Sequence, residues 1–244
     1  MLVTKGHGTH EVDFEVFQCR PGSLVWALPG QLVRPGGQPG LDATLVRWTP
    51  GPDLPDGGPT HRQLAGEDED AVINEVSQLV VDCERELSPE LLRQQLATLL
   101  LRITLLGPRP TEDETYARFS HDLEQGYAET RRVEDYADRL GCCVRTLTRA
   151  SLAATGRSAK QVIDDRVALE AKRLLAGTDL PVAEIGRRLG FPEPTNFGRF
   201  FQREVGQSPG AFRAAAGGPE PTGGWVGVPA PRPPLDPVPG FVQA

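Results

Sequence analysis

Short apolar stretches with β-strand character fill the first fifty residues of the chain. Apolar side chains alternate with polar ones at Val12, Phe14 and Val16, which predicts a strand with one buried face. A second strand is predicted over the apolar run 24–28 and a third over 43–48. Turn signals rich in proline and glycine separate these stretches, and residues 49–60 are predicted to form a loop or linker.

From Glu69 onward, apolar residues recur every three or four positions, which predicts helices. The first helix ends near Leu87. Ser88-Pro89 then has the sequence of an N-cap followed by proline at the first helical position, and the next helix spans 89–106. Because its leucines cover more than one face, we expect it to pack against its own domain and against a second copy of the chain. The predicted dimer contacts are Leu92, Leu96, Leu99 and Ile103.

The segment 111–216 predicts seven helices with recognisable ends. Thr111 with Glu114, and Ser158 with Gln161, have the spacing of capping boxes. From Gly217 the chain holds eight prolines and six glycines in 28 residues, which predicts a disordered tail. The predicted helices are 112–128, 133–140, 144–155, 159–176, 181–189, 194–205 and 209–215.

Composition and charge narrow the class of protein. Hydrophobic residues make up 39% of the 244-residue chain, which is enough to bury a core, and no apolar run is long enough for a membrane-spanning helix. With no secretory signal pattern and four cysteines that lack zinc-ligand spacing, we expect a soluble cytoplasmic protein with reduced thiols. The net charge of −7 is unevenly divided, because residues 1–130 carry −11 and residues 131–216 carry +5. A polyanion is therefore the expected partner of the second half.

Two stretches of the helical half share helix-turn-helix spacing. In the first, Ala137 stands where two helices cross, Gly141 at the turn and Leu147 as an apolar anchor on the second helix. In the second, Gly186 stands at the crossing, Gly190 at the turn and Phe197 as the anchor. The predicted helix between them, 159–176, would be about 27 Å long, comparable to the roughly 34 Å of one turn of B-DNA. Two reading helices so separated could enter successive major grooves.

Residues 131–214 resemble the DNA-binding domain of transcription regulators of the AraC/XylS family. The matching positions cover about a third of the chain and include small residues at helix crossings, turn glycines, apolar anchors and arginines. They are Ala137, Leu140, Gly141, Arg145, Thr146, Leu147, Arg149, Gly156, Arg166, Ala171, Leu174, Leu175, Val182, Ile185, Gly190, Phe191, Phe197, Arg199, Phe201, Gly206, Ser208, Pro209, Phe212 and Arg213.

The resemblance implies a two-domain α+β protein. It suggests a partial cupin-like β region at 1–58, too short for a barrel of about eight strands. A helical dimerisation or linker region would follow at 59–108, then a seven-helix double helix-turn-helix domain at 111–216 and the disordered tail at 217–244. The implied partners are double-stranded DNA and a second copy of the chain, with a small-molecule effector and RNA polymerase as further candidates. No cofactor, catalytic residue or membrane association is predicted.

The side chains expected to read bases lie opposite the two apolar anchors. Arginine suits guanine O6 and N7, and asparagine suits adenine N6 and N7. The predicted base-reading residues are Arg145, Thr148 and Arg149 in the first unit and Thr195, Asn196 and Arg199 in the second. Phosphate contacts, which position the protein without specifying sequence, are predicted for Thr146, Arg157, Arg187, Arg188 and Arg203. The alternative is that surface arginines are solvated or paired with acidic side chains.

Other patterns leave further interpretations open. His7, His10 and Glu15 loosely resemble a cupin metal site, but they lack the His-x-His spacing, so no metal is predicted. Cys143 stands at the N-cap of the helix 144–155, where the helix N-terminus would lower the pKa of its thiol and make redox control conceivable. A metal-dependent cupin enzyme with an added nucleic-acid domain, and a non-specific architectural DNA-binding protein, are the two alternatives to a sequence-specific regulator.

Overall fold

The chain forms two compact units in the computed structural model, which describes residues 1–35, 40–49, 51, 54–55, 57–106, 114–217 and 225–227. The first unit comprises Met1–Pro108 together with the chain from Gly227, and the second comprises Arg109–Val226. The predicted capping box at Thr111 and Glu114 and most of the predicted tail lie outside the described residues.

The strands among the described residues are short. They are β1 (Leu2–Lys5), β2 (Gly8–Val12), β3 (Glu15–Cys19), β4 (Ser23–Val25), β5 (Leu32–Pro35), β6 (Asp42–Thr44), β7 (His61–Gln63) and β8 (Val226–Gly227). They form two four-stranded antiparallel sheets with the strand orders β6-β1-β4-β7 and β3-β2-β5-β8.

Alternation along the strands sends apolar side chains into two separate cores. Leu2 and Leu24, which are partners across β1 and β4, belong to a core shared with the helices of this unit. Val3 and Val25, one position further along each strand, pack instead with Val12 of the other sheet. This is the two-residue periodicity of a strand whose faces are both buried.

The prediction of a strand through Val12, Phe14 and Val16 is wrong, because the chain reverses between β2 and β3. Asp13 and Phe14 form the two-residue turn with φ values of 51° and 71°. Positive φ is unusual outside glycine, and Asp13 is held there by its carboxylate, which accepts hydrogen bonds from Gln31 Nε2 at 2.7 Å and from the Leu32 backbone N–H at 3.0 Å.

The remaining strands differ from the predicted ones in length and number. The strands that overlap the runs predicted at 24–28 and 43–48, β4 and β6, have only three residues each, and the pattern gave no indication of β1, β5 or β7. The strand β7, beyond the predicted limit of the β region at 58, pairs with β4 through Val25 and His61. The sheets are antiparallel, but they do not confirm a cupin-like barrel.

Two antiparallel helices complete the first unit, close to their predicted positions. They are α1 (Glu67–Glu84) and α2 (Pro89–Leu105), and the Ser88 hydroxyl accepts a hydrogen bond from the Leu91 backbone N–H, as its N-cap position predicts. The buried carboxylate of Asp82 joins the two helices by accepting hydrogen bonds from Gln78 at 2.8 Å and Gln95 at 2.6 Å. These two amide groups lower the pKa of Asp82.

The second unit contains seven helices among its described residues, at the predicted places. The Ser158 capping box forms as predicted, with reciprocal hydrogen bonds between Ser158 and Gln161, and Ser208 caps the last helix. The helices are α3 (Glu114–Gly126), α4 (Val133–Arg139), α5 (Val144–Thr155), α6 (Ala159–Gly177), α7 (Val182–Arg188), α8 (Pro194–Val205) and α9 (Pro209–Ala216).

One part of the predicted disordered tail is ordered. Trp225 is 5% exposed, and Val226–Gly227 form the short strand β8 at the edge of a sheet. Burial of the indole ring and backbone pairing in the sheet offset the conformational entropy that this segment loses when it becomes ordered.

Among the described helices, none has the length and apolar character needed to cross a membrane.

Replacing Gly190 tests the tight turn of the second helix-turn-helix. Its φ is 73°, and a Cβ added there would lie 2.6 Å from the Ala128 carbonyl oxygen. We expect Gly190→Ala to lower the free energy of unfolding by more than the roughly 1–2 kcal/mol that positive φ costs alone. The matched control is Gly198→Ala in α8, where the added Cβ meets no atom within 4 Å and the change should stabilise by about 0.5–1 kcal/mol. Equal denaturation midpoints for the two variants would contradict this account.

Candidate nucleic-acid interface

The first helix-turn-helix is formed by α4 and α5. Ala137 is 1% exposed at the crossing, and the Cys142 backbone N–H donates to its carbonyl oxygen at 3.0 Å. Gly141 makes the turn with a φ of 66°. The anchor Leu147 is fully buried in a core that includes Tyr136 and residues of α3 and α6. The predicted turn and anchor of this unit are confirmed.

The second helix-turn-helix, α7 and α8, has the same construction. A Cβ on Gly186 would lie 3.0 Å from Cβ of Phe197, so a small residue is needed where the helices cross. Phe197 is fully buried, and its ring lies edge-on to Phe191 at 5.4 Å. Phe201 and Phe212 extend this aromatic cluster into α9. The second predicted anchor is therefore also confirmed.

The positions opposite the two anchors are open to solvent. Arg145, Arg149 and Arg199 are exposed, as are Thr195 and Asn196, whereas Thr148 is half-buried. Within the described parts of the chain, none of these three arginines forms an ion pair or a side-chain hydrogen bond. Each keeps all of its guanidinium donors available for an external acceptor. Their role in base reading stays a prediction.

The four arginines predicted to contact phosphate are instead paired within the protein. Arg187 and Arg188 both contact Glu184, at 2.5 and 3.3 Å. Arg157 pairs with Asp165 at 2.6 Å. All four side chains are at least half exposed, and exposed ion pairs contribute only about 0–1 kcal/mol. Exchanging a carboxylate for a phosphate would therefore cost little, and these contacts also stay predictions.

Sequence reasoning missed a buried acid that links the connecting helix to the second reading helix. Asp164 of α6 is 7% exposed and forms ion pairs with Lys160 and with Arg203 of α8, the latter at 3.5 Å. Arg203 also pairs with Glu204 at 2.6 Å. The only sequence signal was the i,i+4 spacing of Lys160 and Asp164, which does not reveal a partner forty residues away.

The thiol of Cys143 lies at the N-terminus of α5, as predicted. It makes no capping hydrogen bond to the helix backbone, and its Sγ lies 3.2 Å from Oγ1 of Thr146. The hydrogen bond with the Thr146 hydroxyl group is the largest cause that lowers the pKa of the thiol. Thr146, predicted to contact phosphate, is therefore also the residue that stabilises a Cys143 thiolate.

The predicted dimer contacts on α2 lie inside the first unit or at the margin of its core. Leu99 and Ile103 are 3% and 4% exposed in the core with β1, β4 and α1, and Leu92 and Leu96 are half-buried against the same core. Packing of α2 against its own domain therefore uses these four leucine and isoleucine side chains. Dimerisation through the helix stays a prediction, and the leucines that α2 leaves exposed are Leu91, Leu101 and Leu105.

The side chains considered for a metal are not gathered into a ligand set. His10 lies on β2 opposite Phe17 of β3, and Glu15 is exposed at the start of β3. In the residues that the structure describes, no three His, Cys, Asp or Glu side chains come together as potential metal ligands.

Comparison with known proteins places the similarity in the second unit. A family model described as a helix-turn-helix domain matches residues 136–215. Over 92 residues the chain is 30% identical to the HTH-type transcriptional activator RhaS of Yersinia pestis. The matched segment covers 38% of this chain and 34% of RhaS. The chain thus matches about a third of the length of this curated relative.

Solved structures also resemble part of the chain. The DNA-binding domain of AdpA, solved in complex with a target DNA, is 33% identical over 43% of this chain and 93% of its own, with a TM-score of 0.38. A transcriptional regulator with an AraC-type DNA-binding domain from Chromobacterium violaceum is 21% identical over 43% of this chain and 95% of its own, with a TM-score of 0.39.

The pH dependence of Cys143 alkylation should depend on the hydrogen bond with Thr146. Because the pKa of this thiol is lowered in the folded protein, its thiolate forms at lower pH than that of an ordinary cysteine. We expect half-maximal iodoacetamide labelling below the ordinary thiol range, and a shift to higher pH in Thr146→Val. Mass spectrometry resolves the sites, and exposed Cys83 on α1 serves as the internal control. An unchanged pH profile in Thr146→Val would show that this hydrogen bond does not stabilise the thiolate.

Proposed function

We propose that this chain, whose residues 136–215 form a helix-turn-helix domain of the AraC/XylS type, is a transcriptional regulator that reads two successive major grooves of duplex DNA. The observation that carries the proposal is the repeated unit itself. Each of its two reading helices, α5 and α8, buries an apolar anchor. On the opposite face, Arg145 and Arg149 of α5 and Arg199 of α8 have no partner among the described residues.

The length of α6 supports simultaneous reading of two grooves. This helix has 19 residues, so it is about 28 Å long, close to the roughly 34 Å repeat of B-DNA. It contacts the reading helices of both units. Because a helix of this length is stiff and its neighbours are packed on it, the spacing of the two reading helices would be set before DNA binds.

The exposed residues of the reading helices divide into two proposed roles. Arg145, Arg149 and Arg199 would donate to guanine, and Asn196 would pair with adenine, with Thr148 and Thr195 as shorter hydrogen-bonding neighbours. The ion-paired arginines Arg157, Arg187, Arg188 and Arg203, with Thr146, would contact phosphates and fix the register on the duplex.

The first unit is proposed to supply dimerisation and effector sensing. The exposed stripe of Leu91, Leu101 and Leu105 on α2 supports contact with a second copy, in place of the buried Leu99 and Ile103. A small molecule would regulate DNA binding only if it bound one arrangement of the chain better than another. RNA polymerase is a further proposed partner, and no catalytic role is proposed.

Selection of bound duplexes from a random pool tests the function. We expect a site in two parts whose centres are about one helical turn, roughly 10 base pairs, apart. A single-part site would contradict simultaneous reading by α5 and α8. Binding that is steeply salt-dependent but shows no sequence preference would instead indicate a non-specific architectural protein.

Substitution of paired and unpaired arginines separates the two proposed roles. On the selected site, Arg199→Ala should weaken binding by about 1–3 kcal/mol and relax the preference at one base position. The control Arg188→Ala, which removes an ion-paired arginine of the same unit, should weaken binding to all sequences similarly and reduce the salt dependence. Both are measured by competition between the selected duplex and its single-base variants. A uniform loss of affinity for Arg199→Ala would remove its assignment as a base reader.

A further inference from the structure

A cleft of about 430 Å³ lies within the second unit, at the junction of its two helix-turn-helices. The loop between α3 and α4 forms one wall, through residues 128–132. The start of α6 and the turn after α7 form the others, through Lys160 and Leu189–Gly190. The volume falls within the range of about 300–1,000 Å³ typical of ligand sites.

The charged side chains around this cleft are mostly cations. They are Arg131, Arg132 and Lys160, against one carboxylate, Glu129. That carboxylate is occupied elsewhere, because it accepts a hydrogen bond from Arg139 at 3.1 Å. Three cations and one carboxylate give the lining a formal charge of +2.

Arg131 is the exceptional member of this set. Its guanidinium carbon lies 3.5 Å from the ring centroid of Phe191 and 5.9 Å from that of Phe200, both buried rings. Stacking leaves the edges of the planar group, where its donors point, uncovered by the rings. In the described part of the chain, Arg131 has neither an ion pair nor a hydrogen bond, whereas Arg132 and Lys160 each contact an acidic side chain.

The environment of Arg131 disfavours its charge. Burial lowers the pKa of the guanidinium, with Asp164 opposing this change and Arg203 adding to it. Half-burying a cation without an acceptor costs free energy that a bound oxyanion would recover, since its oxygens match the guanidinium donors. A planar arginine stacked on an aromatic ring is also a geometry well suited to phosphate.

We infer that this cleft binds a phosphate-type oxyanion, with Arg131 as its principal contact and Arg132 and Lys160 as supporting charges. Two sources share this chemistry. One source is a backbone phosphate of the duplex between the two grooves, and this assignment rests on the proposed function. The other is a free phosphate or phosphorylated small molecule, and that assignment does not depend on DNA binding.

The test compares two variants of the full chain. Arg131→Met keeps an apolar stem against Phe191 but removes the guanidinium. Arg118→Met, an exposed position on α3 outside the cleft lining, is the control for loss of one positive charge in the same unit. Each is measured for affinity to a random-sequence duplex over a range of KCl concentrations. Thermal unfolding is measured in inorganic phosphate and in chloride of equal ionic strength.

A DNA phosphate in the cleft predicts that Arg131→Met loses about tenfold in duplex affinity and about one unit of salt slope, while Arg118→Met does not. A free oxyanion predicts that phosphate raises the unfolding midpoint of the unsubstituted protein but not of Arg131→Met, with duplex affinity unchanged. Equal behaviour of the two variants in both measurements would overturn the inference. If the unsubstituted chain fails to bind duplex DNA but phosphate protection depends on Arg131, the proposed function fails and the oxyanion site stands.

Discussion

Both helix-turn-helix units depend on one buried helix, α6. Its first turns contribute Ala159 and Ile163 to the core of the first helix-turn-helix, around Leu147. Its polar groups hold the second helix-turn-helix and α9, because the Asp164 side chain contacts Arg203 of α8 and the Leu175 backbone carbonyl accepts a hydrogen bond from Arg213 of α9 at 3.3 Å. Because Arg203 is exposed, this ion pair adds little to the free energy of unfolding, and we interpret Asp164 as fixing one arrangement of α6 and α8. The separation of the reading helices is thus a property of packing around α6.

Within the described residues, ion pairing divides the arginines of the second unit into paired and unpaired groups. Those on the ends of α7 and α8 are neutralised by neighbouring acids, and Arg166 is held between Glu124 and Glu170 against the ring of Tyr127. Those opposite the two anchors have no such partners in the described residues. The net charge of +5 over 131–216 therefore does not indicate how positive charge is distributed over the proposed reading face.

The two halves of the chain differ in how far their sequence predicted their structure. In the helical half the signals are local: Ser158 and Gln161 cap α6 within one turn, and Gly156 and Gly206 end α5 and α8 in left-handed conformations. Helix bounds were accordingly close to the predicted ones. In the β half, pairing joins residues such as Val25 and His61 that are far apart in sequence, so short strands without strong alternation could not be recognised. The Asp13-Phe14 turn lacks the glycine that usually marks such hairpins.

By itself, the sequence determined the helices of the second unit, their caps, the two anchors and the candidate reading positions, because each follows from contacts within about one or two turns. Tertiary structure alone decided which arginines pair with acids of another element, as Arg203 does with Asp164. It also decided that Leu99 and Ile103 are core residues, and that Arg131 stacks on Phe191 at the cleft. These features depend on residues brought together from separate elements, and no periodicity or spacing along the chain records which elements will meet.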